Sequence, residues 1–164
     1  MNCQLLFIHS GLCNAMKKFI LKILNNKILF EKVIIKCLIQ SKEEEEYLYR
    51  WKLFNKFKFF NIYIHNFAKP DSTVFHDHPW DFVSVVLSGS YKEKRPGELT
   101  THRKAGSIMF RTAEASHYVE SLEGDVWTLV IRGPYRRTWG FWTTEGWVDH
   151  ESYKKLLLDV TVNP

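Results

Sequence analysis

His76 and His78 stand one residue apart in the run VFHDHPWDFVSVVLSG, residues 74–89, and two imidazoles at that spacing can do metal chemistry. The run is apolar and β-branched, and alternate residues of a strand share a face, so both rings can point at one object. Two imidazoles from one strand take two coordination positions of a divalent ion and leave the rest to a distant ligand and to substrate or water. By itself such a pair is more often a chance pair or a satisfied hydrogen-bonding pair than a metal site. A third ligand separates the two readings, and His117 supplies one in GSIMFRTAEASHYVE, residues 106–120. It lies on a later strand, so the three rings converge only if the sheet curls on itself.

Other residue types bear on the same chemistry. Glu93 shares a strand face with Tyr91. Turned inward it is a fourth ligand or a general base; turned outward it is a solvated partner of Lys92 or Arg95, and the outward reading is the expectation. Arg111 and Arg132 stand at strand ends, where a guanidinium at a barrel mouth fixes a carboxylate or phosphate through two parallel hydrogen bonds. Arg136 and Arg137, in the turn after Pro134, read as solvent-facing. His65, on a strand with Tyr63 and Phe67, reads as a histidine at the edge of the core, and Trp80 can wall a pocket beside the ligand strand.

The elements that must position these residues follow from period and punctuation. From about residue 58 to 142 the pattern alternates, with breaks at Lys69-Pro70-Asp71, Pro79-Trp80, Ser88-Gly89, Pro96-Gly97, Ala105-Gly106, Glu123-Gly124-Asp125 and Gly133-Pro134. Strands are expected near 58–67, 73–78, 81–87, 90–94, 107–111, 117–120, 126–132 and 138–142, which makes a mainly β sandwich or barrel. Ser41 with Glu44 forms a capping box, and Leu48, Trp51 and Phe54 repeat at helical spacing. A helix is therefore expected over 42–54, with Glu46 and Arg50 paired one turn apart. Asp149 caps a closing helix over 150–158. Residues 1–40 read as a basic amphipathic helical extension of a domain spanning 41–164, packed on that domain or, in the alternative, lying on a membrane surface.

Composition narrows the function classes. With 164 residues, 45% of them hydrophobic and 15% aromatic, the chain is long and apolar enough for one folded domain, which excludes disorder. Its net charge of +5 comes mostly from lysines scattered before residue 70, without a compact basic patch or a stacking platform, and this argues against a nucleic-acid partner. Lysines also interrupt every apolar run well short of the ~20 residues a spanning helix needs. Cys3, Cys13 and Cys37 are odd in number and crowd the first quarter, so they fit neither a disulfide framework nor a zinc knuckle, and a reducing, cytoplasmic setting is expected.

The histidines and glycines together resemble the cupin superfamily. Its first motif opens on a glycine, carries two alternating histidines, then a glutamate three or four residues on, and closes on a glycine; its second carries glycine, proline, glycine, histidine and asparagine. His76, His78 and Gly89 stand at the first motif's spacing, and Gly106 and His117 at the second's. Pro70 replaces the opening glycine and Phe82 the glutamate, while Thr112, Glu114 and Ser121 take the second motif's proline, glycine and asparagine positions. The HDHPW, GPYRRTWGFW and GW segments also look like those of a little-characterised subgroup of small bacterial and phage cupin-like proteins.

The resemblance implies a double-stranded β-helix, the cupin jelly-roll barrel, with N-terminal helices and a short C-terminal helix. Because Phe82 cannot bind a metal, it implies the three-histidine variety, in which His76, His78 and His117 hold Fe(II) as in the thiol dioxygenases. Asp81, one residue short of the glutamate position, either returns to the metal through a bulge at Pro79-Trp80 or caps the turn. A mononuclear iron oxygenase acting on a small polar or anionic molecule is the leading implication. Zn, Mn or Ni on the same scaffold for isomerase or lyase chemistry, and a non-catalytic ligand-binding or sensor domain, are the others. Cupins also often dimerise through edge strands, so a homodimer is implied.

Overall fold

The chain's computed structural model describes residues 18, 22, 30–38, 44–53, 59–71 and 73–162. The rest of the extension expected over 1–40 lies outside the described residues. Ten strands and one helix follow in chain order: β1 (Phe30–Leu38), β2 (Glu44–Leu53), β3 (Asn61–Phe67), β4 (Phe75–His76), β5 (Phe82–Lys94), β6 (Thr101–Lys104), β7 (Ile108–Arg111), β8 (Tyr118–Arg132), β9 (Gly140–Thr143), β10 (Gly146–Asp149) and α1 (His150–Val162).

The strands form two antiparallel sheets. The large one runs β1-β2-β3-β8-β5-β6, with β7 also pairing β5, and the small one runs β10-β9-β4. The two are not closed into one cylinder. An isolated bridge between His76 and His117 stitches them together, so two of the three histidines sit on the seam between the sheets.

β5 and β8 are the long members, and each replaces two shorter expected strands. Ser88-Gly89 and Gly124-Asp125 were read as ends of strands; both chains instead continue through them with register shifts along β5 at Val86/Ser88, Ser88/Ser90 and Lys92/Glu93. Bulges of this kind bend a strand without ending it, which lets one strand serve both halves of a rolled sheet. Gly89 is the bend where a side chain would fail: its φ is +68°, and a Cβ there would lie 2.8 Å from the Asp125 carbonyl oxygen.

The helix expected over 42–54 is a strand, and residues 30–38 of the expected helical extension are its neighbour. β2 pairs β1 on one side, Phe30 opposite Leu53, and β3 on the other, Leu48 opposite Phe67 and Arg50 opposite His65. Helix signals are local, whereas a strand flanked on both sides satisfies its backbone through its partners and buries both faces. Both faces are in use: Leu48 and Arg50 line an interior cavity, while Trp51 stacks on Trp127 of β8 at 5.3 Å on the other side. The expected Glu46–Arg50 pair does not form, since Arg50 turns to His65 and Glu46 accepts from the Tyr49 hydroxyl.

The buried core is built on strands of the large sheet. Val86, Tyr91, Met109, Val119 and Val126 make one buried cluster, and Tyr63, Phe82 and Val130 another. α1 closes the small sheet: Asp149 Oδ1 accepts from the backbone N–H of Glu151 and Ser152 at 3.1 and 3.0 Å, the expected cap, and Tyr153 stacks on Phe141 of β9 at 4.1 Å. The helix runs four residues past its expected end, to Val162. No described helix is long and apolar enough to cross a membrane.

Candidate metal centre

Backbone hydrogen bonds put the three histidines in place before any side chain acts. His76 and His117 exchange N–H···O bonds of 3.0 Å in both directions, and the His78 N–H donates to the Ala113 carbonyl at 3.0 Å. β4 is held on its other edge by β9, with His76 opposite Phe141. The ring centroids are then 5.1–5.2 Å apart, and one ligand nitrogen from each ring lies within 4.8 Å of the other two. His78 Nε2 and His117 Nε2 approach to 2.9 Å. Two nitrogens about 2.1 Å from a shared ion and roughly 90–110° apart are about 3.0–3.4 Å from each other, so the rings stand close to the separation that a common ion imposes.

The residue between the first two histidines does a different job. Successive side chains of an extended segment point to opposite sides, so Asp77 faces away from the rings and is fully buried. Its Oδ1 accepts from the Gly140 N–H at 2.7 Å, and its Oδ2 from Arg137 Nη1 at 2.8 Å and Trp147 Nε1 at 2.9 Å. Gly140 is required there, because a Cβ would come within 2.2 Å of the Val148 carbonyl oxygen. The arginine, tryptophan and glycine of the later RRTWGFW and GW segments thus clamp the ligand segment through one carboxylate. Arg137 is accordingly not the solvent-facing residue expected, and sequence reading missed Asp77 although the alternation of H-D-H already turns it inward on the opposite side.

Glu93 is buried and faces the centre, which corrects the outward expectation. Its Oε1 accepts from His117 Nδ1 at 2.8 Å, and its Oε2 from Arg103 Nε and Arg111 Nη2, each at 2.8 Å. Burial alone would raise its pKa, but the hydrogen bond and charge of His117, with Arg111 and Arg103, hold it at about 2. A carboxylate ionised at neutral pH has no proton to give, so the shared proton sits on His117 Nδ1, and Nε2 is the nitrogen turned toward His78. Glu93 therefore orients a histidine and does not join the three-nitrogen group.

The remaining expected site residues are engaged elsewhere. Asp81 stays outside the group: its Oδ1 accepts from the Ala113 N–H at 2.7 Å and from Arg136, so it ties the His78 turn to the segment before His117. Arg111 lines the cavity but spends its Nη2 on Glu93. Arg132 donates to the Tyr63 hydroxyl at 3.2 Å and to the Gly133 carbonyl at 3.0 Å, and lies over the Trp80 ring, behind the cavity wall. Arg132 is thus turned away from the cavity, whereas Arg111 keeps one buried donor, Nε, without a partner among the described residues.

The rings open onto a cavity of about 310 Å³, lined mainly by aromatic and aliphatic side chains. That is the lower end of the range for small-molecule sites. Burial lowers the pKa of His76, and burial with the neighbouring His117, His76, Arg50 and His65 charges holds His78 well below the ordinary value. Neutral imidazoles are the ligating form. His65 also lines the cavity and is held neutral by burial and by Arg50, whose Nε donates to His65 Nε2 at 2.9 Å. Arg50 escaped sequence reading because it was assigned to a solvated helix face.

No family profile matches the sequence, and no curated protein aligns with it significantly. Solved structures do share its fold. The polyketide cyclase RemF from Streptomyces resistomycificus superposes with a TM-score of 0.52 at 18% identity, over 75% of this chain and 87% of that one. KdgF from Halomonas sp. is similar with a TM-score of 0.46 at 18% identity, over 54% and 80% of the two chains. An uncharacterised protein with a double-stranded β-helix domain from Klebsiella pneumoniae gives 0.48 at 14% identity, over 62% and 90%. RemF, at an identity that speaks to fold alone, and the two-sheet topology around the His76–His117 seam agree: the chain has the cupin-type double-stranded β-helix fold.

Proposed function

We propose that His76, His78 and His117 bind one divalent metal ion, Fe(II) before Zn, Mn or Ni, and that the chain is an oxygenase acting on a small molecule held in the adjoining cavity. The observation that carries this reading is the convergence of three imidazoles, one of them held at Nδ1 by a buried carboxylate. Carboxylates that accept a ligand's remaining N–H are a regular feature of built metal sites and are not needed by a mere hydrogen-bonded pair. An all-nitrogen set on one side of the ion suits Fe(II), which would supply adjacent open positions for substrate and dioxygen and pass charge between them.

The chain's own residues do the rest. Glu93 takes the Nδ1 hydrogen bond of His117 and so assigns Nε2 to the metal, with Arg103 and Arg111 holding Glu93 in turn. Asp77 clamps the ligand segment against β9 and β10. Phe82, Met109 and Val130 wall the cavity and exclude water, which strengthens every polar interaction inside it. Oxygen uptake by Fe(II)-loaded protein against a panel of thiols and carboxylates tests the reaction. Substrate-dependent uptake supports it. Metal bound without any uptake points to a binding domain, and turnover of sugars by the Zn or Mn form points to isomerase chemistry.

A further inference from the structure

The cavity has a second polar end, facing the histidines from the large sheet. Arg50 of β2, His65 of β3 and Thr128 of β8 are consecutive cross-strand partners, so they form one row on its inner face. All three line the cavity together with His76, His78 and His117, which puts the row and the metal-side rings in one compartment. The Thr128 hydroxyl is buried without a hydrogen-bond partner.

The two carboxylates of this compartment are both engaged away from Arg50. Glu93 is matched by Arg103 and Arg111, and Asp71 is bonded through Oδ2 to the Val119 N–H at 2.7 Å. Arg50 meets only neutral groups: its Nε donates to the unprotonated Nε2 of His65, and its guanidinium packs 4.9 Å from the centre of the Tyr63 ring. Among the described residues no acceptor takes its Nη1 or Nη2. A desolvated cation without a counter-charge is costly, and a planar fork of two unspent N–H groups matches one kind of ligand.

We propose that Arg50 is the substrate anchor, and that the substrate is a monocarboxylate with an apolar body whose carboxylate pairs with Arg50 while its far end reaches the histidines. The proposal rests on the same cavity as the metal reading and deepens it. His65 fixes the fork, because its accepting nitrogen holds Nε of this cavity-lining arginine and leaves Nη1 and Nη2 unspent. One carboxylate neutralises one guanidinium; a phosphate dianion would leave net negative charge among aromatic walls, so carboxylate is the class.

Calorimetric titration of the full chain with 3-phenylpropionate, 3-phenylpropanol and phenyl phosphate tests it, on metal-free protein so that the result does not depend on the metal. The acid is expected to bind and the alcohol not, with affinity falling at least tenfold in Arg50→Met and partly retained in Arg50→Lys. Circular dichroism confirms that each variant is folded. If Arg50→Met folds poorly, Arg50→Lys against wild type carries the comparison, since a point charge without the fork must bind more weakly. Equal binding of acid and alcohol, unchanged affinity in Arg50→Met, or tighter binding of phenyl phosphate would overturn the proposal. Acid binding that survives Arg50→Met but vanishes in His117→Ala would place the carboxylate at the histidines and overturn it too, whereas a failed metal site with intact Arg50 dependence would overturn only the metal reading.

Discussion

His117 Nδ1 lies 2.8 Å from Glu93 Oε1, and this one contact decides which nitrogen of His117 is free to bind. Glu93→Gln keeps the shape but offers an amide in place of an anion, and it strands Arg103 and Arg111 without their counter-charge. Removing such an outer partner typically costs about 10–100-fold in metal affinity. Competitive metal titration should show a loss of that size in a folded variant; unchanged affinity would mean that Glu93 serves the fold alone.

Asp77 is a stability residue placed between two ligands. Asp77→Ala removes the acceptor for Arg137, Trp147 and the Gly140 N–H at once. Breaking a buried charge pair from one side costs about 3–5 kcal/mol. Urea unfolding should register a loss of about that size, together with weakened metal binding, because the clamp holds the segment that carries His76 and His78. A loss under about 0.5 kcal/mol would show that β9 and β10 hold without it.

The five motif positions and the strand-rich half of the chain were legible because spacing survives when type does not: His76, His78, Gly89, Gly106 and His117 keep their intervals although Phe82 and Thr112 break the pattern. What was not legible depended on partners far along the chain. The capping box before Glu44 is a local signal, and pairing with β1 and β3 overrode it, which hid Arg50. The face of Glu93 turned on the register shifts around Ser88, which move the buried positions from Phe82, Ser84 and Val86 to Tyr91 and Glu93 and which no period reveals. Asp77 was within reach, since alternation fixes its direction and only its partners at Arg137, Gly140 and Trp147 were out of sight.

Acid should destabilise the metal-free protein in a defined window. Burial first, and the Arg50 charge second, hold folded His65 well below the ordinary value of 6.5. Below that value the unfolded imidazole takes up a proton that the folded one refuses, so the unfolded state binds more protons and stability falls as pH drops. The fall starts near 6.5 and ends only beneath the folded value. His65→Gln removes this contribution, so its melting temperature should depend less steeply on pH over the unit below 6.5. An equal slope in variant and wild type would contradict the assignment.

The central claim is that His76, His78 and His117 form one metal site. Elemental analysis of protein reconstituted anaerobically with Fe(II) and then desalted measures it most directly. One equivalent of metal per chain is expected for the wild type, and near none for folded His117→Ala. Stoichiometric metal retained by that variant would contradict the three-histidine centre.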